Sequence, residues 1–110
     1  MVDVVSYDVY DQADNKTYRS QIPTYLQLAK MSAEKKLIAM TENSYIPDPD
    51  KMAADGAWWN WFMVWNDGTA GVGVNDVNNF WTGEYYNTNE HKKKVYNHGA
   101  VITLDKLPRF

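Results

Sequence analysis

The sequence predicts an α/β fold with parallel strands, because three bulky apolar segments alternate with helical and loop patterns. Residues 2–10 alternate with a period of two, residues 36–42 carry an apolar run that closes on one carboxylate, and residues 57–66 are rich in tryptophan. A helical pattern lies between the first two segments, and strand–helix–strand units favour a parallel sheet with a right-handed crossover. We therefore expect three parallel strands in chain order, with a helix on one face.

The first strand is expected from Val2 to Tyr10, with one apolar face and one face that becomes polar towards its end. The helix that follows is expected over residues 21–33, with Ser20 as its N-cap. Its buried stripe, at spacings of three and four, consists of Ile22, Leu26, Ala29 and Ala33.

The central strand, residues 36–42, is expected to be covered on both faces, as in a parallel sheet with helices outside. An extended proline loop and one helical turn over residues 50–54 come next. The third strand is expected over residues 57–66, where the adjacent tryptophans are mainly core: Trp58, Trp59 and Trp61.

A long aromatic loop then leads to a last helix that ends near Asn97. Asn87 and Glu90 have the spacing of a capping pair at its start. A terminal extended piece is expected over residues 101–104.

Composition narrows the class of protein. A chain of 110 residues with a net charge of −3 fits one domain, and its charge is too mild to indicate a nucleic-acid or membrane-surface partner. The chain has no cysteine, its two histidines lie in the polar C-terminal region, and no metal or other cofactor is expected. No signal peptide is visible, and no apolar run reaches the roughly 18 residues of a membrane span. Five Trp and eight Tyr are many for this length, and such rings also serve as platforms for sugars.

Three ordered stretches resemble the C-terminal part of glycoside hydrolase family 26, the β-mannanase family of (β/α)8 barrels. They are residues 2–11, residues 36–50, and residues 61–66 with the later pieces 94–98 and 101–103. The resemblance implies that residues 1–110 are a partial (β/α)8 TIM barrel, with strands corresponding to the sixth, seventh and eighth. It also implies part of a retaining endo-β-1,4-mannanase that acts on mannan, glucomannan or galactomannan and is extracellular at full length.

The same resemblance assigns the site residues. It makes Glu42 the catalytic nucleophile, Tyr10 the residue that orients it, and Trp65 the floor of the subsite for the reacting sugar. Strand parity agrees, since each of the three ends a strand and would meet the others at the C-terminal face of the sheet. Asp8 is a candidate substrate contact or a hydrogen-bonding residue of the barrel wall. Trp81 is a second sugar platform or part of a hydrophobic cluster within its loop.

Two functional hypotheses remain at this point. A retaining glycosidase needs a second carboxyl group about 5–5.5 Å from the first, and the resemblance puts that acid/base glutamate on a fourth strand outside these residues. Under the first hypothesis the chain is part of an enzyme and is inactive alone. It is then completed by the N-terminal barrel units or is prone to self-association. The alternative is a non-catalytic carbohydrate-binding or structural fragment that keeps Trp65 and Trp81. The choice between mannan and a mixed-linkage β-glucan is open.

Overall fold

A computed structural model describes residues 3–11, 16–33, 35–66 and 72–109. Its elements are the strands β1 (Val4–Val9) and β2 (Leu37–Asn43), the helices α1 (Ile22–Met31), α2 (Pro49–Asp55) and α3 (Asn89–Asn97), and a short 3-10 turn at Leu104–Lys106. Among the described helices, none has the length and apolar content required to cross a bilayer.

The predicted parallel arrangement of the first two strands is confirmed. β1 pairs with β2 in parallel, and α1 connects them. The third segment lies on the other side of β2: Val64 forms a parallel bridge with Asn43, and the Met40 N–H donates to the Trp61 carbonyl at 3.0 Å. The three segments therefore follow the order of the chain.

The expectation of a regular third strand over residues 57–66 is wrong in extent. The Trp59 N–H donates to the carbonyl of Ala57, which turns the chain at the start of the segment. The indole N–H of Trp59 donates to the carbonyl of Ser20 at 2.7 Å, which draws that ring into the core. Of the three tryptophans expected in the core, only Trp59 is buried, whereas Trp58 and Trp61 are exposed.

The main core lies between the sheet and the helices α1 and α2. Leu28 is the buried residue of α1, and Ala29 packs against this core as expected. Leu26 is 57% exposed and Ala33 lies beyond the helix, so the expected stripe is only partly right. The helix also begins one residue later than expected, because Gln21 is left-handed with φ 60° and serves as N-cap. Ser20 does not cap, because its hydroxyl donates to Asp55 instead. The cluster comprises Val9, Leu28, Ile38, Met40, Met52 and Trp59.

A second, aromatic cluster lies under the loop over residues 72–88. It comprises Tyr45, Phe80 and Tyr86. The predicted capping pair is wrong, because Thr88 is the N-cap of α3 and accepts from the N–H of His91 at 3.1 Å. Asn87 is instead fully buried inside the loop. The terminal segment is extended only to residue 103, since the 3-10 turn begins at Leu104.

Candidate active site

A register shift in the sheet brings Glu42 to the face that carries the candidate site. Strict alternation along β2 would put Glu42 on the same face as Ile38 and Met40, which belong to the core. The pairing changes instead: Tyr7 pairs with Met40, but Asp8 pairs with Glu42. The one extra residue in β2 therefore turns the side chain of Glu42 from the core face to the opposite face of the sheet. Bulges next to active sites commonly redirect a side chain in this way.

Tyr10 and Glu42 are in direct contact. The Tyr10 hydroxyl donates to Oε2 of Glu42 at 2.6 Å, a short bond of the kind made to an ionised carboxylate. Partial burial raises the pKa of Tyr10 well above its usual range, and the bond to Glu42 and the charges of Glu42 and Asp8 raise it further. The phenol therefore remains a neutral donor at neutral pH.

Asp8 lies on the same face and is bonded within the sheet. The hydroxyl of Thr41, the extra residue of β2, donates to Oδ1 of Asp8 at 2.7 Å. This contact agrees with a role for Asp8 in the wall of the sheet. The carboxylate is also exposed on that face, so its role as a substrate contact stays a prediction.

Trp65 lies beside the carboxyl end of β2. Its backbone N–H donates to the carbonyl of Asn43, the residue after Glu42, at 3.1 Å. The residue is 41% exposed. The ends of β1, β2 and the third segment thus bring Tyr10, Glu42 and Trp65 to one edge.

Trp81 lies against α3. Its ring packs edge-on against Tyr96 of α3, with 5.8 Å between ring centroids. The ammonium of Lys92 lies 6.0 Å from the indole centroid and donates to the Trp81 carbonyl at 3.0 Å. The grooves that Trp81 lines are formed by α3 and by residues 62–66. Whether Trp81 binds sugar there stays a prediction.

Within the described ranges, no group of three or more His, Asp or Glu side chains is arranged to hold a metal ion. The residues that sequence reasoning missed are those that frame Tyr10: Ser44, Phe80 and Asn87. They come from loops with no helical or strand periodicity, and only their burial in the folded chain distinguishes them from other loop residues.

Comparison with known proteins identifies the family of this chain as one of glycoside hydrolases. The model of glycosyl hydrolase family 26 matches residues 1–106. This chain belongs to glycoside hydrolase family 26.

The relatives of known sequence are mannanases. The chain is 36% identical over 106 residues to a mannan endo-1,4-beta-mannosidase of Thermothelomyces thermophilus, covering 96% of this chain and 19% of that protein. It is 26% identical over 109 residues to mannan endo-1,4-beta-mannosidase A of Piromyces sp, covering 99% of this chain and 16% of the relative. The chain thus spans at most about a fifth of the length of these two relatives.

Solved structures agree. The Podospora anserina GH26-CBM35 beta-(1,4)-mannanase superposes with a TM-score of 0.74 at 31% identity, over 96% of this chain and 20% of that one. A beta-mannanase from a symbiotic protist of the termite Reticulitermes speratus, complexed with gluco-manno-oligosaccharide, superposes with a TM-score of 0.74 at 28% identity. The match covers 98% of this chain and 28% of that one. The chain is therefore an α/β piece with the fold of part of a family 26 mannanase.

Proposed function

We propose that residues 1–110 form the C-terminal portion of the catalytic (β/α)8 barrel of a retaining endo-β-1,4-mannanase and supply its nucleophile, Glu42. The observation that carries this proposal is the hydrogen bond from Tyr10 to Glu42 at the ends of adjacent parallel strands. Barrel enzymes keep their chemistry at this end of the strands. The segments of β1, β2 and residues 57–66 then correspond to the sixth, seventh and eighth strands.

Glu42 acts by covalent catalysis. Tyr10 holds Oε2 and leaves Oε1 to attack the anomeric carbon, which gives a glycosyl-enzyme ester while the leaving oxygen takes a proton from the acid/base carboxyl group. Water activated by that same group then cleaves the ester and retains the anomeric configuration. The acid/base group is proposed to come from another part of the barrel, as the family resemblance implies.

The proposed substrates are mannan, glucomannan and galactomannan. The exposed indole of Trp65, one residue position beyond the bridge between the third segment and β2, offers an apolar face for the sugar ring. Asp8 can accept a hydrogen bond from a sugar hydroxyl, and Trp81 can bind a more distant part of the polysaccharide. The protist relative solved with a gluco-manno-oligosaccharide supports a substrate of this class. The full-length enzyme is proposed to act outside the cell.

The test uses a chimera in which this chain replaces the matched 106-residue segment of the Thermothelomyces relative. Release of reducing sugar from mannan and retention on immobilised mannan are measured for the parent, Glu42→Ala and Trp65→Ala. We expect Glu42→Ala to abolish hydrolysis while binding persists, and Trp65→Ala to weaken both. Hydrolysis by Glu42→Ala at near the parent rate would contradict the proposal.

A second proposal concerns the isolated chain. Trp61, Met63 and Trp65 on the third segment are 42%, 53% and 41% exposed. An apolar strand edge of this kind favours pairing with another chain. We expect the isolated chain to hydrolyse no mannan and to self-associate unless the remaining barrel units are present. Light scattering that shows a monodisperse monomer would contradict the association. Mannan binding without hydrolysis in the completed chimera would favour the alternative, a carbohydrate-binding or structural unit.

A further inference from the structure

We infer that Ser44, held by the buried amide of Asn87, is a positioning residue that fixes Tyr10 against Glu42. The catalytic consequence of this inference rests on the function proposed above. The geometric part rests on three contacts around Tyr10, two made by Ser44 and one by Phe80.

Ser44 lies two residues after Glu42 and brackets the backbone of Tyr10. Its N–H donates to the carbonyl of Val9 at 3.2 Å, and its hydroxyl oxygen accepts from the N–H of Asp11 at 3.0 Å. Ser44 is fully buried. Because the two bonds flank Tyr10, they fix its backbone relative to the end of β2, where Glu42 lies.

Asn87 holds Ser44 in turn. Its side-chain amide donates to the carbonyls of Ser44 at 2.7 Å and Phe80 at 3.0 Å. Its oxygen accepts from the N–H of Ile46 at 2.8 Å. Both donors of this fully buried amide are therefore used, and all three partners are backbone groups.

The ring of Tyr10 has a third support. Phe80 is buried, and its ring centroid lies 5.9 Å from that of Tyr10 with the planes tilted by 43°. The carbonyl of Phe80 is one of the two held by Asn87. One amide thus fixes both the backbone bracket and the ring contact of Tyr10.

These supports matter because the side chain of Tyr10 is only partly enclosed, being 46% exposed. Its bond to Glu42 depends on where the loops place the phenol, and a displacement of about 1 Å at a reacting group can cost on the order of 10²-fold in rate. Loosening the bracket should therefore impair the Tyr10–Glu42 bond while Glu42 itself remains in place.

The test compares two buried serines in the chimeric enzyme. Ser44→Ala removes the acceptor for Asp11, and Ser20→Ala, the matched control, removes a hydroxyl bonded to Asp55. Each change is made in the parent and in a Tyr10→Phe background, and kcat and KM are measured on mannan. We expect Ser44→Ala to lower kcat about tenfold without raising KM, a part of the loss available from a misplaced group. Ser20→Ala should stay within about twofold of its parent.

The double variant separates positioning from a general loss of structure. If Ser44 acts through the Tyr10 hydroxyl, then Ser44→Ala should cost less than about twofold in the Tyr10→Phe background, since coupled residues are not additive. An equal loss in both backgrounds, or a loss no larger than that of Ser20→Ala, would overturn the inference.

Asn87→Asp provides the second variant, because it keeps the side-chain oxygen and loses the donors to Ser44 and Phe80. It should show the same dependence on Tyr10, and an equal loss in both backgrounds would again overturn the inference. Failure of the proposed function looks different: kcat would be unchanged in Tyr10→Phe itself, whatever Ser44→Ala does.

Discussion

Replacing Tyr10 by Phe removes one hydroxyl and should slow the breakdown of the glycosyl-enzyme. The bond to Oε2 of Glu42 is 2.6 Å long, and hydrogen bonds to charged groups are worth about 1.5–3 kcal/mol. Because Tyr10 is 46% exposed, water replaces part of the lost bond, so the low end of about 1.5 kcal/mol applies. The carboxylate regains its charge when water cleaves the ester, so this step loses the full bond and slows about tenfold.

The assay is rapid mixing of the chimera with an aryl mannoside whose leaving group absorbs light. Tyr10→Phe should show a burst of released phenol followed by a steady rate about tenfold below the parent. Tyr7→Phe is the matched control, since Tyr7 lies in the same strand and is more exposed. A steady rate for Tyr10→Phe within twofold of Tyr7→Phe would refute the reasoning.

Three further changes test the fold of this chain within the chimera. Met40→Ala, at a fully buried core position, should lower the free energy of unfolding by about 2–5 kcal/mol in a urea titration, and a loss below about 1 kcal/mol would contradict the core assignment. Burial lowers the pKa of His91, so the unfolded chain binds a proton at a higher pH than the folded chain, and stability should fall as the pH drops through about 6.5. His91→Phe should reduce this fall in thermal melts. An unchanged dependence of stability on pH would exclude His91 as the cause. Burial opposes ionisation of Asp48, but hydrogen bonds from Lys94 and from the N–H of Asp50 hold its pKa below the usual range. Lys94→Met should raise the pKa of Asp48 in an NMR titration. An unchanged pKa would contradict the ion pair between Lys94 and Asp48.

The periodic parts of the fold could be predicted from the sequence. The apolar alternation of β1 and the apolar run of β2 identify two parallel strands, and the helical spacing between them identifies α1. The start of α1 could not be predicted, because the left-handed Gln21 shifts it past Ser20. Ser20 looks like a cap in sequence, but its hydroxyl is used by Asp55, a contact between distant residues.

For the candidate site, the sequence indicates which residues meet but not how. Tyr10, Glu42 and Trp65 could be brought to one edge by the resemblance and because each closes a predicted strand. Strict alternation of side chains along β2 would turn Glu42 into the core. The one-residue register shift at Tyr7/Asp8 that moves it to the other face cannot be recognised in the sequence of the apolar run. Trp81 packs against α3 through its contact with Tyr96, and no local sequence pattern reveals this contact.

The central claim, that Glu42 is the nucleophile, is tested most directly by trapping the covalent intermediate. The chimera is treated with a 2-deoxy-2-fluoro mannosyl fluoride, which forms the glycosyl-enzyme and slows its breakdown, and the labelled peptide is sequenced by mass spectrometry. The account predicts one fluoromannosyl group per active molecule, attached to Glu42 and missing from the Glu42→Gln variant. A label on any other carboxylate, or equal labelling of Glu42→Gln, would contradict it.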